Sequence, residues 1–350
     1  MYNHRIQKLL SLDIYSAYII TSPENLYYFS GFTGGEGTLF IDKNNRLLFT
    51  DSRYTYQAKG EAVDYEIIDT AKTSLKDFFK SIDKTIIGFE DDSITFKAFL
   101  GLKKMAGEHT LMPVSDKIYE IRMIKDDNEI RLIKEAALIS DSAFSYILGR
   151  IETGRTEKEI ALDLEYFMLQ KGANGLSFET ICASGVRSAM PHGTATDKKI
   201  EKGDFLTLDF GCKFKGYCSD MTRTVVVGKA NEKQKEIYDV VLNAQTLALK
   251  EISSGALSKV VDSAARNYIK DKGYGKHFGH GLGHSLGLLV HEKPSCSPKS
   301  EDILINNMLM TVEPGIYIDD FGGVRIEDLV VVKDSGFINL TSSTKELIEL

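Results

Sequence analysis

The sequence predicts an α+β protein with two domains, a smaller α/β domain in residues 1–122 and a larger mixed domain in residues 123–350. Two observations predict this fold class. A chain of 350 residues is longer than a typical domain of roughly 150 residues. Within the larger domain, the same order of helices and strands occurs twice. A hydrophobic content of 43% with 27% charged residues indicates an ordinary globular protein with a sizeable core.

Short apolar runs alternate with helical patterns in the smaller domain, which indicates an α/β arrangement. The glycine-rich segment 31–37 matches neither the dinucleotide-binding fingerprint nor the phosphate-binding loop, so it is predicted to be a plain loop. The segment 43–45 has the composition of a turn between two strands. The predicted strands are 16–21, 37–42 and 46–50, and the predicted helices are 52–60 and 74–81.

Helix-capping signals mark the start of each half of the larger domain. In the first half, an Asp pair can cap one helix and a Thr-x-x-Glu capping box opens the next. The second half repeats the two helices. The predicted caps are Asp126 or Asp127, then Thr156 with Glu159, and then Asn231, and the last helix runs from about Ser258 to Lys272.

Two strands follow each pair of helices, and the strands of the two halves share a pattern. Segments 206–211 and 310–315 both read as an apolar residue, Thr, an apolar residue, an acid, any residue and Gly. The acids of this pattern, Asp209 and Glu313, are 104 positions apart, which is also the spacing from Asp127 to the second-half cap. We infer a tandem duplication of a helix–helix–hairpin unit. Its predicted strands are 205–210, 221–227, 308–313 and 324–332.

Each half also supplies two acidic residues to its hairpin. A hairpin folded about Phe214–Lys215 would set Asp209 directly opposite Asp220, with Cβ atoms roughly 4.5–5.5 Å apart on one face. Carboxylates so placed repel each other, and burial makes their charges costly. Both could instead face solvent at a sheet edge, but Asp209 lies in an apolar strand, and Glu313 and Glu327 repeat the arrangement. Four acids in duplicated positions indicate a bound cation.

A glycine- and histidine-rich segment, 279–291, offers nitrogen ligands for such a cation. His280 and His284 are four residues apart, but the glycines around them argue against the helix of a zinc-binding His pair. An irregular segment close to the hairpins, ending at His291, is the better interpretation. Four carboxylates and one imidazole would balance two divalent cations and a bridging hydroxide, which is the chemistry of hydrolysis at neutral pH. Such oxygen-rich ligation favours Mn²⁺ and admits Fe²⁺, Co²⁺ or Zn²⁺.

Eight short motifs of the larger domain occur in the order and at the spacing of one known family. They are FETICASG (178–185), PHG (191–193), LDFG (208–211), SDMTRT (219–224), HGLGH (280–284), VHE (290–292), VEPG (312–315) and VRIE (324–327). In these motifs the chain resembles the pita-bread metallopeptidases, a group that contains aminopeptidase P, prolidase and methionine aminopeptidase. The resemblance covers residues 124–350 and implies a pita-bread catalytic domain with duplicated halves. Segments 27–31 and 50–54 resemble the creatinase-like N-terminal domain of the proline-specific members.

The resemblance implies a ligand set for two metal ions. Asp209 would bind one ion, His284 and Glu313 would bind the other, and Asp220 and Glu327 would bridge both. All five positions match the family's ligand pattern. Creatinase and the non-catalytic pita-bread proteins share the fold without these ligands. The resemblance therefore favours an enzyme over a non-catalytic peptide-binding protein.

The resemblance also implies a catalytic set of Glu313, His291 and His192. Glu313 would carry a proton from the attacking water to the leaving amine, and His291 would donate to the substrate's carbonyl oxygen as it becomes an oxyanion. His192, His280 and Arg325 would shape the pocket for the residue after the cut, and His291 would contact the same substrate. For Arg325 an alternative is open, namely that its guanidinium pairs with one of the acidic ligands.

Among the activities of this family, the sequence favours cleavage of the Xaa-Pro bond at peptide N-termini, the activity of an Xaa-Pro aminopeptidase. The alternative is an Xaa-Pro dipeptidase, or prolidase. A methionine aminopeptidase is disfavoured because those enzymes generally lack the N-terminal domain. A serine hydrolase using Ser285 is suggested by the pattern G-x-S-x-G at 283–287, but no acid lies between this serine and the later histidine, as the order of such a triad requires.

Charge and cysteine content limit the partners and the compartment. A net charge of −7 without a basic tract disfavours nucleic acid and anionic membranes as partners. The expected substrate is a peptide or dipeptide with proline in the second position. Four cysteines without a C-x-x-C pair, and an N-terminus without a signal-peptide pattern, predict the cytoplasm. The family resemblance implies a homodimer.

Overall fold

The computed structural model describes residues 2–350, and internal contacts divide the chain into two compact units. The first unit ends at Arg122, and the second extends from Met123 to Leu350. Each unit has a hydrophobic core of its own residues. Among the residues that the structure describes, every helix is too short or too polar to span a bilayer.

The first unit is built on a mixed six-stranded sheet. Its strands are β1 (Ala17–Ile20), β2 (Thr38–Asp42), β3 (Arg46–Thr50), β4 (Glu66–Asp69), β5 (Ile86–Phe89) and β6 (Thr110–Pro113). They lie in the order β4-β3-β2-β1-β5-β6. The β1–β2 and β2–β3 pairs are antiparallel, and the other pairs are parallel. Phe40 and Ile87 of this sheet pack with Phe79 and Leu102, which lie on two helices of the unit.

The elements predicted for the first unit are present. β2 and β3 form the predicted hairpin, and Ser74 caps the second predicted helix through its side chain. The glycine-rich segment is a loop, as predicted, and its Gly31 ends a helix with a φ of 80°. The helices are α1 (Tyr2–Leu10), α2 (Pro23–Ser30), α3 (Thr55–Glu61), α4 (Leu75–Ser81), α5 (Phe96–Ala106) and α6 (Ser115–Met123).

Capping side chains set the start of most of the long helices in the second unit. Asp126, Thr156 and Asn231 each accept a hydrogen bond within a capping box. The first cap is therefore Asp126 and not Asp127, so it lies 105 positions before Asn231 instead of the predicted 104. The helices are α7 (Asp127–Leu148), α8 (Glu157–Gln170), α9 (Glu232–Lys250) and α10 (Ser258–Asp271).

The strands of the second unit are short, and they form several small sheets. The strands are β7 (Gly175–Leu176), β8 (Ile181–Ser184), β9 (Phe205–Phe210), β10 (Cys212–Phe214), β11 (Tyr217–Cys218), β12 (Met221–Val226), β13 (Gly283–Ser285), β14 (Glu292–Cys296), β15 (Leu309–Val312), β16 (Gly315–Ile318), β17 (Gly322–Arg325), β18 (Asp328–Lys333) and β19 (Gly336–Asn339). Within the sheets, the strand orders are β12-β9-β8, β11-β10-β7, β13-β14, β15-β18-β19 and β16-β17.

The two halves of the second unit repeat one arrangement. In the first half, α7 and α8 share a core with β9 and β12, to which Phe144 and Leu206 contribute. In the second half, α9 and α10 share a core with β15 and β18, to which Val241 and Met310 contribute. Strands β9 and β15 begin 104 positions apart, as the sequence pattern predicts. The predicted duplication of a helix–helix–hairpin unit is confirmed.

The register of the first hairpin differs from the predicted one. Asp209 pairs with Thr222 and not with Asp220, so the prediction that the two acids stand directly opposite is wrong. The turn residues Lys215 and Gly216 both have positive φ, of 48° and 83°. This is the conformation of a two-residue hairpin turn, and it moves the centre of the hairpin along the chain. Because the pairing shifts by two residues, Asp220 stays on the same face as Asp209, diagonally across the strands.

Three of the four acidic residues lie where the regular strand pairing of the hairpins is interrupted. Asp220 precedes β12, Glu313 lies between β15 and β16, and Glu327 lies between β17 and β18. The single strand predicted for 324–332 is therefore wrong, because two strands flank Glu327. At this break, the backbone N–H of Glu327 donates to the carbonyl oxygen of Thr222 at 3.1 Å, which joins the second hairpin to the first.

Gly211→Ala is expected to destabilise the second unit, because a Cβ at this position would lie 1.9 Å from the backbone oxygen of Ser219. The backbone would have to move, so we expect the free energy of unfolding to fall by about 3 kcal/mol or more. Gly175→Ala is the control, since a Cβ there meets no described atom within 4 Å. Urea unfolding checks this, and equal midpoints for the two variants would contradict it.

Candidate active site

A cavity of about 430 Å³ lies in the second unit, between the broken hairpins and the segment 280–291. Its volume is in the range of about 300–1,000 Å³ that is typical of small-ligand pockets. Phe178, Ile181 and Val290 give it apolar walls. All the side chains that the sequence proposes for the site line this cavity: Asp209, Asp220, His284, Glu313, Glu327, His192, His280, His291 and Arg325.

Oxygen and nitrogen atoms from separate stretches of the chain approach one another closely in the cavity. One potential ligand atom from each of Asp220, His284 and Glu327 lies within 4.8 Å of the other two. His284 Nε2 is 3.7 Å from Asp220 Oδ2 and 3.4 Å from Glu313 Oε1. Atoms bound to one ion at roughly 2.0–2.2 Å are separated by roughly 3–4 Å. The gap between these side chains therefore has the size of a metal ion.

Several buried carboxylate oxygens of the site have no hydrogen-bond partner. Within residues 2–350, these atoms are Asp209 Oδ1, Asp220 Oδ1 and Glu327 Oε1. Such atoms are rare in folded proteins, because an unpaired buried polar group costs free energy unless a water or an ion compensates it. Carboxylate oxygens with one imidazole are a donor set that divalent cations such as Mn²⁺ prefer. The residues present therefore fit a metal centre.

Burial and mutual repulsion oppose the charged form of these acids. The pKa values of Asp220 and Glu327 are raised well above the ordinary carboxyl range, first by burial and then by neighbouring carboxylates. Burial also raises the pKa of Glu313 to about 8. The pKa of His284 is lowered to about 4 by burial and by the nearby His291, so its ring is neutral and available as a ligand. At neutral pH, the cluster therefore attracts cations or retains protons.

Neighbouring hydroxyl groups orient the acids. Thr222 Oγ1 donates to Glu327 Oε2 at 2.7 Å, and Thr311 Oγ1 donates to Glu313 Oε1 at 3.2 Å. His284 Nδ1 lies 3.1 Å from the backbone oxygen of the next residue, which leaves Nε2 to face the acids. Contacts of this kind hold the ligands of metal sites in the correct orientation.

The guanidinium of Arg325 is almost fully engaged by the protein. It donates to Asp209 Oδ2 at 2.6 Å, to the Tyr317 hydroxyl at 2.8 Å and to the Pro191 carbonyl at 3.1 Å. Its Nε donates to Thr222 Oγ1 at 3.1 Å. Of the two roles open for Arg325, these contacts favour the pairing with an acidic residue.

The remaining histidines differ in how far their rings are already bonded. His280 contacts the Tyr317 hydroxyl through Nε2 at 3.0 Å and the backbone oxygen of the next residue through Nδ1 at 2.7 Å. Burial and the positive charge of Arg325 lower the pKa of His280 to about 4. His192 and His291 are exposed at the cavity edge, where the His291 ring lies 4.5 Å from the ring of His284. These two imidazoles are more exposed than that of His280, which also lines the cavity.

Tyr317 is a residue of the site that sequence reasoning does not find. Its hydroxyl connects His280 with Arg325, yet it lies in an apolar strand without any motif that could indicate it. Thr222, in contrast, lies in the motif SDMTRT beside Asp220, so the sequence does carry a signal for it. Ser285, the nucleophile of the serine hydrolase alternative, is fully buried and is not among the residues that line the cavity.

The duplicated fold and its carboxylate-lined cavity define a pita-bread metallopeptidase. Residues 131–334 match the profile of metallopeptidase family M24, and residues 4–124 match that of the creatinase/prolidase N-terminal domain. The chain therefore belongs to metallopeptidase family M24. The family and the fold predicted from the sequence are confirmed.

Relatives of known structure or activity cover the whole chain. An Xaa-Pro dipeptidase from Pyrococcus horikoshii is 39% identical over 351 residues, which cover 99% of each protein. An Xaa-Pro dipeptidase structure from Bacillus anthracis has a TM-score of 0.95 and 42% identity, with full coverage of both chains. An X-Pro aminopeptidase structure from Thermotoga maritima has a TM-score of 0.93 and 41% identity, and covers 99% of this chain and 100% of its own.

Metal removal is expected to make the stability of the protein fall as pH rises from 6.5 to 8. Without metal, folded Glu313 keeps a proton up to about pH 8 that the unfolded chain loses near its ordinary pKa of 4.5. His280 and His284 have the opposite effect, but only below their ordinary pKa of 6.5. Within the window, the raised carboxyl therefore lowers the free energy of unfolding as pH rises, by on the order of 1–2 kcal/mol. The raised pKa values of Asp220 and Glu327 act in the same direction.

Thermal unfolding of chelator-treated protein at the two pH values measures this effect. The same protein saturated with Mn²⁺ is the control. We expect its stability to change less with pH, because bound cations neutralise the carboxylates in place of protons. A metal-free protein that is equally stable at both pH values, or more stable at pH 8, would contradict the prediction.

Proposed function

We propose that this protein is a dinuclear metallopeptidase that hydrolyses Xaa-Pro dipeptides. The observation that carries the proposal is the convergence of four carboxylates and one imidazole in a cavity of about 430 Å³, within a chain of family M24. The Pyrococcus and Bacillus relatives, similar over their whole length, are Xaa-Pro dipeptidases. These similarities favour the dipeptidase, which is the alternative prediction from the sequence, over the aminopeptidase, which is the main one.

An Xaa-Pro aminopeptidase is the second candidate. The Thermotoga relative, which is 41% identical, carries that name. The cavity also favours it in one respect. Among the described residues that line it, Arg325 is the only Lys or Arg, and its guanidinium is already bonded to protein groups. A cavity without a free cation does not demand a substrate that ends in a carboxylate.

Two divalent cations, which we propose to be Mn²⁺, would be held by the five side chains. Asp209 would bind one ion, His284 and Glu313 the other, and Asp220 and Glu327 both. The unpaired oxygens of three of these acids support this assignment. When bound, the cations would activate a water molecule and polarise the carbonyl group of the scissile bond.

The remaining chemistry falls to side chains of the cavity. Glu313, which lines the cavity beside His284, would accept a proton from the attacking water and transfer it to the proline nitrogen. His291, exposed at the cavity edge, would donate to the carbonyl oxygen as negative charge develops. His192 and His280 would position the proline ring, whose nitrogen has no N–H while it is in the peptide bond.

We further propose that the protein works in the cytoplasm. Its four cysteines are free and buried, which fits a reducing compartment. The homodimer implied by the family resemblance stays a prediction, and sedimentation analysis of the purified protein would test it.

Substrate length is expected to separate the two candidate functions. With Mn²⁺ present, we expect Ala-Pro to be hydrolysed with a kcat/KM at least about tenfold higher than Ala-Pro-Ala, because specificity of this size follows from a few differing contacts around the substrate. Met-Ala-Ala serves as the control and should remain intact. Chromatography of the released amino acids measures all three. Faster hydrolysis of Ala-Pro-Ala would instead support the aminopeptidase function.

Asp220→Asn and Glu327→Gln are expected to lower the metal content and the hydrolysis of Ala-Pro together. Each change removes a charged oxygen ligand, so we expect kcat to fall by roughly 10² to 10³-fold. Asp141→Asn is the matched control, since Asp141 is also a buried acid but binds Ser342 and Ser343 away from the cavity. Elemental analysis and turnover are measured on the same samples. Wild-type turnover in either ligand variant would argue strongly against the metal assignment.

A further inference from the structure

The histidine loop, residues 284–291, carries one candidate metal ligand at its start and one candidate oxyanion donor at its end. Strands β13 and β14 lead into and out of this loop, and Ser285 pairs with Glu292 across them. His284 immediately precedes Ser285, and His291 immediately precedes Glu292. The distance between Ser285 and Glu292 therefore controls the distance between the two imidazoles. Their ring centroids lie 4.5 Å apart, and the ring planes form an angle of 70°.

A buried lysine lies at the base of this loop. The side chain of Lys125 has no exposed surface, and that of Glu292 is 3% exposed. Lys125 Nζ lies 3.2 Å from Glu292 Oε2 and donates to Ser285 Oγ, also at 3.2 Å. Removing an ammonium group from water is costly unless its partners compensate it. The ammonium group of Lys125 therefore bridges Ser285 and Glu292, the two residues that directly follow His284 and His291 in the chain.

The carboxylate of Glu292 also shapes the interior of the loop. Its Oε1 accepts a hydrogen bond from the backbone N–H of Leu289 at 3.1 Å. A Cβ at Gly287 would lie 2.8 Å from both carboxylate oxygens, so the loop backbone packs directly on this group. The carbonyl of Gly287 in turn accepts a bond from the N–H of Cys218 at 2.7 Å, two residues before Asp220. Glu292 therefore connects the loop to the hairpin that carries an acidic ligand.

We propose that Lys125 is a positioning residue of the active site, which fixes the distance and angle between His284 and His291 by clamping Ser285 to Glu292. The inference rests on the proposed function, because it gives these two imidazoles their roles in metal and substrate binding. It also gives the serine of the G-x-S-x-G pattern a different purpose. Ser285 is fully buried beside an ion-paired lysine, so its hydroxyl anchors the loop and meets no substrate.

The test is Lys125→Met, which keeps the length of the side chain and removes its charge. We expect the affinity for Mn²⁺, measured by competition with a chelating dye, to fall by roughly 10- to 100-fold, the usual effect of losing a group that orients a metal ligand. At saturating Mn²⁺, kcat for Ala-Pro should fall in the same range with a smaller change in KM, since His291 would act on the developing oxyanion.

Two further variants separate positioning from simple loss of stability. Lys125→Met combined with Glu292→Gln removes both charges of the pair, so the melting temperature should recover while the Mn²⁺ affinity and kcat stay low. Asp141→Asn, a buried acid elsewhere in the unit, should lower the melting temperature without changing affinity or kcat.

Three results would overturn the inference: wild-type Mn²⁺ affinity and kcat in Lys125→Met, recovery of kcat in the double variant, or equal losses in Asp141→Asn. The Mn²⁺ titration decides the matter without any substrate. If the wild-type protein cleaves no Xaa-Pro peptide, the proposed function fails, and the titration still shows whether Lys125 positions the metal ligand.

Discussion

The structure depends on one constraint, the mutual repulsion of four carboxylates that the fold buries in a single cavity. Hydrogen bonds from Thr222 and Thr311 and the guanidinium of Arg325 offset only part of this repulsion. Buried carboxylate oxygens without partners remain among the described residues, including one each on Asp220 and Glu327. Divalent cations held by these carboxylates would offset the remaining repulsion, so that metal binding would contribute directly to the free energy of folding.

The duplication explains how the chain can assemble such a cluster. Each half contributes one hairpin. Asp209 lies within a paired strand, and the other three acids lie at the ends or breaks of the strand ladders, where backbone groups are free to make other bonds. At the break beside Glu327, the N–H bonds to Thr222 of the other half. The buried Arg223 donates to the carbonyl oxygen of Glu327 and to Asp328 Oδ1 at 2.8 Å. The residues that join the two halves thus also hold the candidate ligands.

Local sequence signals predict much of this architecture, and long-range contacts account for the rest. The caps of α7 and α9 were visible because capping depends on neighbouring residues, as at Asn231. The acids of the cavity are predictable because charged residues in apolar strands are unusual. Three of its histidines are predictable because they cluster in the glycine-rich segment 279–291, and His192 only through the family resemblance. The hairpin register is not predictable, since it depends on the positive φ of Lys215. Lys125, which bonds a residue 160 positions away, and Tyr317 reach the site only through folding.

The choice between dipeptidase and aminopeptidase does not lie in the five candidate metal ligands, since the same residues would serve either reaction. The choice depends on the protein groups that contact the proline carbonyl end of the substrate, which is a free carboxylate in a dipeptide and a peptide bond in a longer substrate. The guanidinium of Arg325 is bonded to Asp209 and Tyr317, so it offers little to a substrate carboxylate. The exposed imidazoles of His192 and His291 remain at the cavity edge. The hydrogen bonds that these imidazoles can donate would suit a C-terminal carboxylate, and they also tolerate a peptide carbonyl.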